Sequence, residues 1–168
     1  MSLRWLLGQN TGILIVSDEA LAVMHRFKQT RLLDKEAGGQ LFAQFSGPNV
    51  HILKATPPSL LDWRSRYGFR PNRRLQRMQI AKYYARGLHF VGDWHTHPES
   101  HPTPSSEDVT GMQDCFRRSK HDLTAFLMVI LGTVQSQDGY YVGLVDETGL
   151  RPLTAAAHLE AEIVRPLD

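Results

Sequence analysis

Features that define several protein classes are scarce in this sequence of 168 residues. Cys115 is the single cysteine, so the chain cannot form an internal disulfide, and a metal site made of several thiolates is excluded. The longest apolar run, residues 123–131 with one threonine inside it, is far shorter than the roughly 20 residues of a membrane-spanning helix. Residues 1–8 lack the apolar stretch of about 7 to 15 residues found in a secretory signal. We therefore expect no membrane segment, no export by that route and a reducing, cytoplasmic environment.

Excess charge of one sign is also missing from the chain as a whole. The formal net charge is +2, which gives no global electrostatic footprint for nucleic acid. Hydrophobic residues make up 42% of the sequence and charged residues 21%, an ordinary composition for a globular protein with a real core. No repeat or low-complexity tract divides the chain. Length and composition together predict a single domain over residues 1–168.

Hydrophobic patterning predicts alternating strands and helices, which is typical of an α/β (α+β) fold. Predicted strands cover residues 13–16, 38–45, 50–55, 88–95, 123–131 and 139–145, and predicted helices cover 19–27, 72–86 and 105–118. Ser17 and Ser105 precede two of these helices and are suitable N-cap residues. The buried side of the second helix is predicted to include Leu75, Met78 and Tyr83. Residues 154–168 are only weakly patterned.

Two histidines at the end of a predicted strand suggest a metal site. His95 and His97 are two residues apart, and alternate residues of a strand point to the same face, so both imidazoles can reach one ion. Asp108 follows in the first turn of the next predicted helix, and two histidines with one carboxylate are a familiar ligand set for catalytic zinc. The prolines of the intervening loop restrict its path and lower the entropy cost of assembling such a site. They are Pro98, Pro102 and Pro104.

Ordinary structural roles explain the same residues. Ser105 and Asp108 stand three residues apart after a proline, which is also the arrangement of a capping box at a helix start. His95 and His97 could equally be strand-end residues with solvent or backbone partners. An isolated pair of histidines does not separate these interpretations.

A longer string of residues carries a family resemblance. The sequence His95-Thr-His97-Pro98, six residues, Ser105, two residues, Asp108 resembles the H-[ST]-H-P-x6-S-x2-D signature of the JAMM (MPN+, JAB) metalloproteases. Upstream, the segment that begins at Glu36 and runs Glu-Ala-Gly-Gly-Gln-Leu-Phe resembles the E-x-G-G-x-L-F block of the same family. The resemblance covers about residues 30–145.

The resemblance implies a fold and a site. The fold is the JAB/MPN type, a curved mixed β-sheet flanked by helices. His95, His97 and Asp108 are implied to bind one Zn²⁺ per chain, with a water in the fourth position. Glu36 is implied to be the general base, and Ser105 to steady the developing oxyanion. Asp93, on the same face of the strand as His95, is a candidate hydrogen-bond partner for an imidazole.

Residues 90–106 also resemble, more loosely, the isopeptidases encoded in bacterial CBASS anti-phage operons. There the family works beside a ubiquitin-activating/conjugating-like fusion protein, which attaches the C-terminus of a CD-NTase, a cyclic-oligonucleotide synthase, to targets. The resemblance implies hydrolysis of the bond after the C-terminus of a CD-NTase or ubiquitin-like protein joined to a target. Alternatives are a deconjugase or processing protease for a bacterial ubiquitin-like protein, a RadC-like nucleic-acid-associated protein, and an inactive scaffold.

A basic stretch runs from Arg64 to Arg86, with eight Lys or Arg residues and no acid. Three interpretations remain open: a solvated face, contact with a protein substrate, and binding of nucleic acid, which the low net charge disfavours. Arg73, Arg74 and Arg77 are the candidate substrate-binding residues. An extended substrate tail could add beside an open strand edge, with the hairpin 38–55 and the loop 97–104 as candidate walls.

Three further residues are predicted to have ordinary roles. Trp94 points opposite to His95 and belongs to the core. His101 is a solvated loop residue, and Cys115 is a small apolar residue rather than a nucleophile.

Overall fold

A computed structural model describes residues 2–8 and 11–156 of the chain. Its strands are β1 (Leu3–Leu6), β2 (Ile13–Val16), β3 (Gly38–Ser46), β4 (Asn49–Ala55), β5 (Trp63–Ser65), β6 (Gly68–Arg70), β7 (His89–Thr96), β8 (Phe126–Leu131), β9 (Tyr140–Asp146), β10 (Gly149–Pro152) and β11 (Thr154–Ala155). Its helices are α1 (Asp18–His25), α2 (Arg73–Tyr84) and α3 (Ser106–Arg118), with a short 3-10 helix at Gln137–Gly139.

Nine of the strands form one mixed sheet in the order β10-β9-β8-β7-β3-β4-β2-β1-β11, while β5 and β6 form a separate two-stranded hairpin. The pairs β2–β4 and β7–β8 are parallel, and the remaining pairs are antiparallel. β3 and β7 therefore lie side by side in the middle of the sheet. Side chains at their ends are held by neighbours on both sides.

Helices cover both faces of the sheet, and strand β8 shows why. Leu127, Val129 and Leu131 pack into one cluster with α1, while Phe126 and Met128 pack into the other with α3. All six residues of β8 are buried, as expected for a strand covered on both sides. The mixed sheet flanked by helices confirms the predicted fold class.

Polar caps fix where the helices begin. The Ser17 hydroxyl accepts from the backbone of α1, and the Asn72 side chain accepts from the backbone of α2. Ser105 and Asp108 form a complete capping box at the start of α3. The caps predicted at Ser17 and Ser105 are confirmed.

Two parts of the secondary-structure prediction need correction. The strands β1, β5, β6, β10 and β11 were not predicted, because they are only two to four residues long and too short to show alternation. The predicted buried side of α2 is only partly formed: Leu75 and Tyr83 are half-buried, with the Tyr83 ring 4.4 Å from that of Phe42, whereas Met78 is 60% exposed. The helix covers the sheet only loosely.

No helix in the described ranges has the length and apolar character needed to cross a membrane. Trp94 is fully buried in the core, and His101 is exposed, as predicted. Most of the weakly patterned stretch 154–168 lies outside the described residues.

Candidate metal centre and substrate cleft

Pairing between β3 and β7 brings Glu36 to the two histidines. Gly38 lies opposite His95 in the antiparallel ladder, and the backbone N–H of Thr96 donates to the carbonyl of Ala37 at 2.8 Å. The next position along this register places Glu36 opposite His97. Its Oε1 lies 3.8 Å from the His97 Nε2. Two sequence motifs almost sixty residues apart thus meet because their strands are neighbours.

Asp108 approaches the same histidines from the first turn of α3. Its Oδ1 lies 3.3 Å from the His95 Nε2, and its Oδ2 lies 3.5 Å from the His97 Nε2. The two Nε2 atoms are 3.1 Å apart. Tetrahedral zinc with bonds of about 2.0 to 2.1 Å separates its ligand atoms by about 3.3 Å. The donor types and these distances therefore fit a zinc ion held by His95, His97 and Asp108.

Glu36 is a second carboxylate at this cluster. One donor atom each from Glu36, His95 and His97 lies within 4.8 Å of the others, so these three residues alone could also hold a metal ion. Asp108 lies nearer than Glu36 to the His97 Nε2, and Asp108 contacts both histidines. These distances favour Asp108 over Glu36 as the third ligand, and the ligand set that the motif resemblance implies stays a prediction.

Ser105 holds the Asp108 carboxylate in place. The Ser105 hydroxyl and its backbone N–H each donate to the Asp108 Oδ2 at 2.7 Å, and the hydroxyl accepts from the Asp108 backbone N–H at 3.1 Å. The cap and the candidate ligand are therefore one structural unit. The predicted oxyanion role of Ser105 requires its hydroxyl to turn away from Asp108, and it stays a prediction.

The two carboxyl groups have opposite pKa shifts. Burial opposes ionisation of Asp108, but hydrogen bonds from His95, His97 and Ser105 hold its pKa well below the ordinary range. Burial raises the pKa of Glu36, and the nearby histidine charges offset this only in part. A lowered pKa suits the role of Asp108 as a metal ligand, and a raised pKa suits the role of Glu36 as a general base.

A buried polar network joins the segments that carry these groups. The Thr96 hydroxyl accepts from the backbone N–H of Ala37 at 3.0 Å and donates to the Gln29 Oε1 at 3.1 Å. The Gln29 amide in turn donates to the carbonyls of Asp34 and Arg66. Thr96 and Gln29 were not identified from the sequence, because only the folded chain shows what their side chains bridge.

Two arginines of the basic stretch have structural roles that the sequence did not reveal. The Arg64 Nε donates to the Glu36 carbonyl at 2.7 Å, and its guanidinium also reaches the carbonyl of Lys35. Arg66 donates to the carbonyls of Arg31 and Leu32. The β5–β6 hairpin thus holds the segment that carries Glu36, so these arginines are not free surface charges.

A cleft of about 640 Å³ opens over the cluster. Its other walls come from the β5–β6 hairpin, the residues after His97 and the first turns of α3. Residues on these walls include Trp63, Tyr67, Phe69, Arg70, Pro98, Glu99 and Glu107. The predicted loop wall is present, but the predicted wall 38–55 is wrong: the hairpin beside the cleft is β5–β6, because β3 and β4 lie within the large sheet.

The remaining predicted residues separate into two groups. Arg73, Arg74 and Arg77 are all exposed, but only Arg73 and Arg77 line a second cavity, which lies between α2 and α3. Asp93 lies at the same cavity, and its buried Oδ1 has no hydrogen-bond partner among the described residues, so the predicted bond to an imidazole is not formed. Burial raises the pKa of Asp93 to about 6, although the Arg73 and His95 charges act in the opposite direction.

Comparisons with known proteins agree with this geometry. Residues 18–141 match the family described as prokaryotic homologs of the JAB domain. A Pseudomonas aeruginosa protein named CD-NTase/cGAS isopeptidase is 30% identical over 148 residues, which cover 86% of this chain and 90% of that protein. An Escherichia coli protein of the same name is 26% identical over 98 residues, covering 56% of this chain and 63% of that protein.

One solved structure has a similar fold. It is the solution structure of a Desulfitobacterium hafniense protein, with a TM-score of 0.58 and 19% sequence identity. The match covers 82% of this chain and 87% of that protein. At this identity the likeness concerns the fold alone.

Proposed function

Because the chain belongs to the prokaryotic JAB-domain family, we propose that it is a zinc-dependent isopeptidase. The observation that supports this best is the set of donor atoms around His95, His97 and Asp108, whose separations of 3.1, 3.3 and 3.5 Å suit tetrahedral zinc. A separate buried carboxylate, Glu36, stands beside the set and lines the cleft.

In the proposed reaction, the metal acts as a Lewis acid and side chains of the protein transfer the protons. Zinc, when bound, supplies a Lewis acid that lowers the pKa of water to about 7 and polarises a carbonyl. Glu36 takes a proton from the water that attacks the carbonyl carbon, and it passes a proton to the amine as the C–N bond breaks. Thr96 and Arg64 hold the segment that carries Glu36, and Ser105 fixes Asp108.

We infer the substrate from the names of the relatives and the shape of the cleft. The proposed substrate is a CD-NTase or ubiquitin-like protein whose extended C-terminal tail is conjugated to a target. Cleavage would remove a modification made by a ubiquitin-activating/conjugating-like fusion protein and so regulate a CBASS anti-phage system. An extended tail can run along β6, since Gly68, Phe69 and Arg70 all line the cleft.

Intact mass spectrometry of a fusion substrate tests the proposal. The substrate joins the C-terminal tail of the CD-NTase from the same operon to a reporter protein. We expect the zinc-loaded protein to cut once, at the end of the tail, and Glu36→Ala to leave the fusion intact. Cleavage of ubiquitin-like tails alone would assign the protein to their processing. An intact set of fusions beside zinc-loaded protein would contradict the proposed activity.

A further inference from the structure

The second cavity lies on the same sheet face as the metal cluster and has a volume of about 450 Å³. We call it the arginine pocket, and the residues that line it include Gln40, Asp93, Arg73, Arg77, Arg118 and Gly111. Its volume is within the range of ligand-binding cavities, about 300 to 1,000 Å³. The predicted catalytic chemistry does not use it.

The floor of the arginine pocket offers two unsatisfied hydrogen-bond acceptors. Gln40 and Asp93 lie directly opposite each other in the β3–β7 ladder. The Gln40 Oε1 and the Asp93 Oδ1 are both buried without a partner in the described part of the chain, and Gln40 is only 1% exposed. Buried acceptors without partners are costly, so this floor is complementary to a ligand that brings N–H or O–H donors.

The walls of the arginine pocket offer positive charge. Arg77 comes from α2 and Arg118 from the last turn of α3, so they stand on opposite sides. Within residues 2–8 and 11–156, neither guanidinium has a hydrogen bond or an ion pair. The Arg73 charge acts on Asp93, while Asp114 on the α3 wall pairs with Arg117. Two guanidinium groups therefore remain for an anion.

The arginine pocket and the catalytic cleft meet at Gly111. This residue lines both cavities, and a Cβ built on it would meet no atom within 4 Å. A glycine inside a helix costs about 0.5 to 1 kcal/mol relative to alanine, and here it leaves open space between the two cavities. Asp93 and His95 are two residues apart on β7, and an extended chain advances about 3.3 Å per residue. A chain that leaves the metal cluster thus reaches the pocket within about two to four residues.

We propose that the arginine pocket binds an acidic side chain of the substrate's tail, about two to four residues before the bond that is cut. Backbone N–H groups of the extended tail would donate to the Gln40 and Asp93 oxygens, and the carboxylate would pair with Arg77 and Arg118. The pocket would then determine which tails are accepted. This inference rests on the proposed isopeptidase function.

Tail peptides with a single variable charge test the inference. Each peptide has an alanine and glycine background with one Glu, Gln or Lys at one of its last positions, joined by an isopeptide bond to a lysine. Binding is measured by fluorescence anisotropy with zinc-loaded Glu36→Ala protein, and kcat/KM is measured with the wild type. At one position we expect Glu to exceed Lys by about tenfold or more in both measurements, as for a charge-assisted hydrogen bond.

Three variants connect such a preference to the arginine pocket. Arg77→Glu should reverse it, so that the Lys peptide becomes the better ligand. Arg74→Glu makes the same charge change about one helical turn away, outside the cavity. It should leave the ratio between the Glu and Lys peptides within about twofold of the wild-type ratio. Gly111→Phe fills the space between the cavities and should abolish the preference, while Gly111→Ala should keep it. Zinc content and thermal unfolding midpoints establish that each variant is folded.

Measuring binding and cleavage separately distinguishes a failure of the arginine-pocket hypothesis from a failure of the proposed isopeptidase activity. A charge preference in binding that Arg77→Glu reverses supports the arginine pocket even if no peptide is cut, a result that would contradict the proposed enzyme. Cleavage with no charge preference at any position would overturn the pocket and leave the enzyme standing. A preference that survives Arg77→Glu would overturn it as well.

Discussion

The metal cluster, made of Glu36, His95, His97 and Asp108, and the arginine pocket occupy the same face of the same two strands. The polar groups of the cluster have partners within the described part of the chain, whereas several of those in the pocket do not. At the cluster, Glu36, Asp108 and the two histidines face one another, and Ser105 secures Asp108. In the pocket, two buried oxygens on the floor and two guanidinium groups on the walls lack partners among the described residues.

The difference indicates which region is assembled by the chain and which is completed by a ligand. Reaction chemistry requires groups that are fixed before the substrate arrives, because reorganisation in the transition state costs rate. A recognition site can leave polar groups unpaired, because a bound tail of the correct sequence pairs with them and therefore binds more tightly than other tails.

Removing a ligand should have the largest effect. His97→Ala is expected to lose bound zinc and all detectable cleavage. Its free energy of unfolding should fall by about 4 kcal/mol relative to wild type when free zinc is 1,000 times the wild-type Kd. Chemical denaturation with and without zinc measures this. His101→Ala, which removes an exposed histidine of the neighbouring loop, should match the wild type. Equal losses in the two variants would contradict the ligand assignment.

Breaking the buried network around Thr96 should lower the free energy of unfolding by less than the loss of a metal ligand does. Thr96→Val preserves shape but leaves the Ala37 N–H and the Gln29 amide oxygen without their partner, at a cost of about 1 to 3 kcal/mol in unfolding free energy. We expect kcat to fall while zinc content stays at the wild-type value, because the network positions the segment of Glu36. Urea denaturation and steady-state kinetics measure both. Thr110→Val on the exposed side of α3 is the control and should change neither.

A cap that also holds a ligand can be compared with one that does not. Ser105→Ala and Ser17→Ala each remove a helix N-cap, and each should lower the free energy of unfolding by about 1 kcal/mol. Ser105→Ala alone should weaken zinc binding, by about 10- to 100-fold, because it also releases Asp108. Competition with a chromogenic chelator measures the affinities. Similar zinc affinities in the two variants would show that the Ser105 cap does not support the metal centre.

The smallest effect concerns Cys115, which lines the arginine pocket. Burial raises the pKa of its thiol above the ordinary 9.0, so a smaller fraction is thiolate at any given pH. Iodoacetamide at about pH 8 should therefore react several-fold more slowly with the folded protein than with the protein in urea, and the rate should climb as the pH rises past 9. Because Cys115 is the only cysteine, the alkylation that mass spectrometry measures occurs at this thiol alone. Equal rates would show that the pocket does not bury the thiol.

The residues of the metal cluster were predictable because their chemistry is encoded in local spacing. His95 and His97 share a strand face, and Asp108 follows on a capped helix, so short-range geometry indicates the cluster. The position of Glu36 opposite His97 depends on which strands pair. Only the family resemblance indicated it in advance.

The surroundings of the cluster were less predictable, because roles there depend on tertiary neighbours. In the sequence, Arg64 and Arg66 belong to a basic stretch that suggests a charged surface. In the structure, both bind backbone carbonyls of the segment that carries Glu36. The i, i+4 spacing of Arg73 and Arg77 contains a usable signal, since it places these two side chains on one face of the helix. Their neighbour Gln40 carries no such signal in the sequence.

The most direct test of the account is the zinc content of two single variants, Glu36→Ala and Asp108→Ala, measured by inductively coupled plasma mass spectrometry beside a cleavage assay. We expect Glu36→Ala to keep one zinc per chain and to lose cleavage, and we expect Asp108→Ala to lose both. Loss of zinc from Glu36→Ala together with its retention in Asp108→Ala would contradict the central claim, because it would exchange the roles of ligand and base.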